Sequence, residues 1–271
     1  MIKPNSGIDI SAWETNVLWE KLAPRPSLVI AKASEYKWRD TAFVMHYQNA
    51  EEYPRGAYHF YRPDDIPAQV ETFLWACEEA GAFVGGKWLA EIAPIFDAEY
   101  APPKTPRKKP KNYKEPPIGA ALAYQYKTWL DLVEQRTGVK PIIYTSQYYW
   151  SFTLACLGRV PSWTRDYPLW LAYYPDRPDD FPEPTAGMLP RGWELSDVIM
   201  WQYDEAGRLA GVPYDGVDLN WVKPEYLASL GATPEPTHPF SVTIDKSDNL
   251  QVINDAVSVR VARADGSVVE A

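Results

Sequence analysis

The chain has 271 residues, 46% of them apolar, enough for one large domain of barrel size or two smaller ones. A formal charge of −9 argues against a general nucleic-acid binder, and with no run approaching about 18 apolar residues no membrane insertion is expected. Two cysteines, Cys77 and Cys156, no CxxC and only three histidines argue against a disulfide framework and a zinc site, so no metal and no cofactor is expected.

Short β-rich apolar runs recur along the chain, and helical patterns separate the first several. The first run is Gly7–Ser11, followed by a predicted helix over Thr15–Ala23 that Pro24 closes. Leu28–Ser34 reads as the clearest buried strand, after which Asp40 caps a helix carrying Phe43, Val44 and Tyr47 on one side. Gly56–Tyr61 is the third strand, and its helix opens near Pro67 and stops before Gly81. The fourth strand is Pro94-Ile95-Phe96-Asp97-Ala98-Glu99. A long helix spans about Gly119 to Thr137, the fifth strand is Pro141–Thr145, and Ser146 caps the helix after it. The rhythm then changes. Leu169–Tyr174, Ile199–Tyr203 and Gly216–Asn220 read as three more strands, with Pro-, Gly- and Asp-rich segments between them and a final helix over Pro224–Leu230. About five βα units followed by three strands predict an α/β fold: a parallel sheet closed into an irregular TIM-like barrel, (β/α)5(β)3.

Two stretches stand outside this rhythm. Residues 101–118 are basic and proline-rich, and read either as a mobile insertion or as an arm that attracts an anionic polymer. Residues 232–239 read as a linker after a barrel domain at 1–231. Residues 240–271 read as a small β-rich segment, with Val257, Val259 and Val261 alternating before the Asp265-Gly266 turn; packing on the barrel or self-association is its expected use.

The chemistry concentrates in the fourth strand. Side chains of a strand alternate, so Asp97 and Glu99 face the same way, close enough for one to hold the other's proton on near neutral pH. A glycosidase needs such a pair: one acid to protonate the leaving oxygen, one carboxylate to stabilise the developing positive sugar. Twelve Trp and 18 Tyr add rings with polar tips suited to sugar faces as well as to a core.

Laid out in order, GIDIS at 7–11, VIAKASE at 29–35, GAYHFYR at 56–62, FDAE at 96–99, LWLAYY at 169–174, WQY at 201–203 and GVDLN at 216–220 resemble glycoside hydrolase family 25, the muramidase-type lysozymes that include phage endolysins. The resemblance implies cleavage of the β-1,4 bond between N-acetylmuramic acid and N-acetylglucosamine in bacterial cell-wall peptidoglycan. It implies Glu99 as general acid and base, Asp97 beside it, and Asp9 and Asp218 as further acids of the pocket. Asp97 would act either as nucleophile or as the group that steadies the substrate's acetamido. Glu35 reads as a pocket residue or a helix-cap partner. Tyr58, Tyr61, Tyr144, Tyr173 and Trp201 are candidate sugar contacts, each with a core alternative. His59 reads as a structural histidine, and Lys32 is expected to pair with one of the pocket carboxylates.

The chain departs from the family's usual Glu-Gly at Glu35-Tyr36 and from its Trp-Gln at Trp13-Glu14. Rival readings are a catalytically inactive wall-binding or virion structural subunit on the same fold, and a glycosidase on another N-acetylated polymer such as chitin. The opening MIKPNSGIDIS has no apolar signal-peptide core, so residence in a host cytoplasm before a phage-type release, or export by another route, is expected.

Overall fold

The computed structural model describes residues 2–103, 116–155, 157–213 and 216–231, together with the strand residues 242–244, 250–252, 260–262 and 268–270. The chain divides into two compact units, Met1–Pro234 and Glu235–Ala271. In the second unit Val242–Ile244 pairs antiparallel with Leu250–Val252, and Arg260–Ala262 with Val268–Glu270. The expected linker at 232–239, Cys156 and most of the basic 101–118 stretch lie outside the described residues.

The first unit is a mixed α/β fold around a closed barrel. Its strands are β1 (Ser6–Ile10), β2 (Val29–Glu35), β3 (Arg55–Phe60), β4 (Ile95–Asp97), β5 (Ile142–Thr145), β6 (Leu169–Ala172), β7 (Val198–Gly207) and β8 (Val217–Val222). They neighbour one another in chain order, and a parallel pairing of β1 with β2 closes the ring. The remaining strand of the nine-stranded sheet, Trp38–Arg39, folds back on β2 at the edge. Helices α1 (Phe43–Asn49), α2 (Ile66–Ala80), α3 (Gly119–Thr137) and α4 (Gln147–Leu154) follow strands β2 to β5, and α5 (Pro224–Ser229) follows β8.

Two expectations are corrected. No α-helix forms over Thr15–Ala23; only a single 3-10 turn, Trp19–Lys21, is present. The reason is tertiary. The amides of Leu18 and Ala23 donate to the carbonyls of Gly211 and Ala210, so backbone donors a helix would use internally are spent on a neighbouring loop. Four βα units therefore precede the last strands. Nor is the barrel wholly parallel: β8 runs antiparallel to both β7 and β1. The connection from Gly207 to Val217 is too short for a crossover back to the start of the barrel, which takes a dozen or more residues.

Strand alternation sorts the barrel residues onto two faces. Ile30, Ile95, Ile142, Trp170, Met200 and Val222 point inward and fill the lower barrel, joined there by Leu28, Ile92 and by Leu227 of α5. Val29, Ala31, Phe96, Ile143, Leu171 and Trp201 point outward and meet the helices. Helix α3 presents Leu122, Tyr126, Trp129, Leu130 and Val133 to that outer face, at the spacing of one helical stripe, and ends at Gly138, whose φ of 71° suits glycine. Trp129 packs 4.8 Å from Phe96 and stacks 5.5 Å from His59, so aromatic packing braces β4 from behind. Cys77 is a buried free thiol on α2. No helix among the described residues is long and apolar enough to cross a membrane.

Candidate active site

The upper ends of β1 to β7 and the start of β8 surround a cavity of about 700 Å³. Because β8 is reversed, its first residues reach the level where the other strands finish. Asp218 therefore stands directly across from Asp9 in the β1–β8 ladder. Asp97 ends β4, and the chain stays extended beyond it because the Ala98 amide donates to the Tyr144 carbonyl at 2.8 Å. Parity thus carries on one step past the ladder. Asp97 and Glu99 face the cavity, while Phe96 and Ala98 lie in the outer core.

Asp9, Asp97, Glu99 and Asp218 all line this one cavity, and Tyr58, Tyr144 and Tyr173 line it with them. Three other sequence candidates do not. Tyr61 is fully buried in the outer core against Phe96, Tyr100 and Tyr126, its hydroxyl bonded to Gln125. Trp201 also points outward and donates its ring N–H to the Tyr173 carbonyl at 2.7 Å. Glu35 sits beside the rim, where it accepts from Lys32 and Arg62, each at 2.6 Å. Burial raises the pKa of Glu35, but these two cations outweigh it and hold the carboxyl below its usual value. Lys32 does line the cavity, yet its ion pair is with Glu35, three residues on, and not with one of the four acids. His59 is buried between Ser34 Oγ at 2.8 Å and Gln69 Oε1 at 3.0 Å, with its pKa lowered to about 4 mainly by burial. Tyr36, where the resemblance leads one to expect glycine, takes a φ of 51°, and its ring meets that of Trp38 at 5.2 Å.

Sequence reasoning missed Gln202 and Asn220. Gln202 donates to Asp9 Oδ2 at 2.8 Å and to Asp218 Oδ2 at 3.3 Å. Asn220 donates to the same Asp9 oxygen at 2.7 Å and accepts from the Trp170 ring N–H at 2.8 Å. Both were legible by parity: Gln202 neighbours an outward residue, and Asn220 is two past Asp218. Trp13, Glu14, Tyr148, Tyr149, Tyr174 and Glu205 also line the cavity, and Glu14 caps the β1 end by accepting from the Ser11 amide at 2.8 Å.

The acids perturb one another. Burial, opposed by hydrogen bonds from Asn220, Gln202 and Asp218, leaves Asp9 at about 6. Burial and then the charge of Asp9 push Asp218 up to about 10. Burial, with the charges of Asp9 and Glu205, pushes Glu99 up to about 7. Asp97 is held well above the usual range by burial and by the charge of Glu99, and its Oδ1 is buried without a hydrogen-bond partner.

These shifts make stability fall as pH rises, against a smaller opposite contribution from His59 and His46, whose pKa values burial lowers. Unfolded carboxyls titrate near 4, so between there and the raised values the folded chain binds more protons than the unfolded one. The stability these groups contribute is fully present below about 4 and is lost as pH rises through about 6 for Asp9 and about 7 for Glu99. The midpoint of thermal unfolding, followed by calorimetry, is expected to fall by at least about 4 °C between pH 5 and pH 8; a flat or rising midpoint would contradict this picture of the site.

The sequence model described as "Glycosyl hydrolases family 25" matches residues 8–212. YegX, an uncharacterized protein of Escherichia coli O6:H1, is 31% identical over 201 residues, covering 70% of this chain; the match spans 62% of YegX, less than two thirds of its length. An N,O-diacetylmuramidase of Arthroderma benhamiae is 28% identical over 213 residues, covering 76% of this chain and 79% of that protein. Among solved structures, a bacterial lysozyme from Streptomyces coelicolor superposes with a TM-score of 0.63 at 25% identity, over 84% of this chain and 97% of that one. A family GH25 lysozyme from Aspergillus fumigatus gives 0.60 at 22% identity, over 85% and 100%, and shares the fold.

Proposed function

Because this chain belongs to glycosyl hydrolases family 25, we propose that it is a peptidoglycan hydrolase that cleaves the β-1,4 bond between N-acetylmuramic acid and N-acetylglucosamine. The observation that carries the reading is the placement of Asp97 and Glu99 at one strand end, facing a cavity that Asp9 and Asp218 also line. Exposed Trp13 and the tyrosines Tyr148 and Tyr173 supply ring faces at the rim for sugars on either side of the cut.

Glu99, with its pKa near 7, holds a proton at neutral pH and gives it to the glycosidic oxygen as the bond to the anomeric carbon breaks. The acetamido oxygen of the same sugar attacks that carbon and forms a cyclic oxazolinium ion. Asp97 steadies this ion by accepting a hydrogen bond from the acetamido N–H, the partner that its buried Oδ1 lacks. Part of what keeps Asp97 neutral is the charge of Glu99, so a protonated Glu99 frees Asp97 to ionise. Glu99 then takes a proton from water, which opens the ring with net retention at the anomeric carbon. The second route, direct attack by Asp97, uses the same two residues.

Digestion of purified cell walls tests the reading, with the released fragments weighed by mass spectrometry. Products with N-acetylmuramic acid at the reducing end are expected, and chitin oligomers should stay intact. Reducing-end N-acetylglucosamine, or wall binding with no fragments released, would overturn it.

A further inference from the structure

The side of the cavity formed by β7, β8 and β1 carries a chain of hydrogen bonds with a fixed direction. The Trp170 ring N–H only donates, so it faces Asn220 Oδ1, and the Asn220 amide nitrogen must face Asp9. At the other end Gln202 Oε1 accepts from the Tyr144 hydroxyl at 2.5 Å and from the Tyr174 hydroxyl, so the Gln202 nitrogen also faces Asp9. Two amide donors therefore converge on one oxygen, Asp9 Oδ2, whereas Asp218 receives only the longer contact at 3.3 Å. The amides and the carboxyl they meet are buried: Asn220 is 0% exposed, Gln202 2% and Asp9 6%. A carboxyl oxygen receiving two N–H donors away from water is favoured as the carboxylate.

We propose that Gln202 and Asn220 are positioning residues that make Asp9 the charged member of the Asp9–Asp218 pair, leave the proton on Asp218, and so set a fixed negative charge facing Glu99. The use of this device in catalysis rests on the glycosidase reading above; the proton placement does not. The charged groups facing Asp9 and Glu99 are Glu14 after β1, Lys32 on β2, Asp97 on β4, Glu205 on β7 and Asp218 on β8. Lys32, the one cation among the described lining residues, is drawn off by Glu35. Burial raises the pKa values of Tyr58, Tyr144 and Tyr174, so these stay neutral. After burial, the charge of Asp9 is what most keeps the proton on Glu99. Without the amides Asp9 would take up a proton earlier, its field would vanish, and Glu99 would ionise at lower pH.

Titration of carboxyl-13C-labelled Asp and Glu by NMR tests this in the wild type, Asn220→Leu, Gln202→Met and Tyr174→Phe. In the wild type Asp9 should titrate well below Asp218. In Asn220→Leu and Gln202→Met the Asp9 midpoint should rise by about one pH unit, and that of Glu99 should fall, carrying the alkaline limb of wall lysis down with it. Tyr174→Phe, a change at the exposed rim, should move both in the same sense by less, and decides the matter should the buried variants not fold. An Asp9 midpoint unmoved in the folded variants, or Asp218 titrating below Asp9 in the wild type, would overturn the proposal. A wild type without wall lysis ends the glycosidase reading and leaves the NMR result standing; an active enzyme with unmoved carboxyls ends this proposal alone.

Discussion

Glu99→Gln is expected to lower the turnover of wall hydrolysis by about 10²–10⁴-fold, the usual contribution of a positioned acid. Glutamine keeps the size and the hydrogen-bonding reach of the side chain but has no proton to give. Glu99 alone, among the cavity acids, is raised to about 7, where it can be protonated before the reaction and ionised after it. The same change removes a carboxyl that burial disfavours, so the variant should melt no lower than the wild type at pH 8. Reducing-sugar release and calorimetry on one preparation check both halves. Activity retained in a folded variant would take the general-acid role away from Glu99.

Asp97→Asn should lower kcat by about 10²–10³-fold with little change in KM, the pattern of an interaction that matters only as positive charge develops. Asp97 is 4% exposed, so the charge it supplies is poorly screened by water. On the acetamido-assisted route, added azide should not restore activity, because the internal nucleophile is still present. Rescue by azide, giving a glycosyl azide of inverted configuration, would show that Asp97 itself attacks the sugar.

Much of this was legible in the sequence because period-two alternation is simple. The strand runs, the long α3 with Gly138 at its end, and the shared face of Asp97 and Glu99 all follow from it. The same rule, applied more strictly, separates the residues that were misjudged. Tyr58 and Tyr61 are three apart and cannot share a strand face, and Trp201 and Gln202 are adjacent and cannot either. In each pair the cavity takes Tyr58 and Gln202 and the core takes the other. Large aromatic residues drew attention to Trp201 that belonged to the smaller amide beside it. Other features depend on contacts that no local pattern encodes. The loss of the first helix reflects hydrogen bonds to residues 210 and 211, nearly two hundred positions away. The pairing of Lys32 with Glu35 arises where β2 slips its register between Lys32 and Ser34. That slip turns Ser34 toward His59 and leaves Glu35 at the edge with Arg62.

The plug of side chains low in the barrel has one more implication. Leu28, Ile92, Val222 and Leu227, all fully buried, seal the end away from the acids, and paired strands close the ring around the side. Among the described residues the chamber opens at one end. On the hydrolase reading proposed above, a glycan cannot be drawn through such a vessel like thread through a needle; whatever enters must leave by the same mouth.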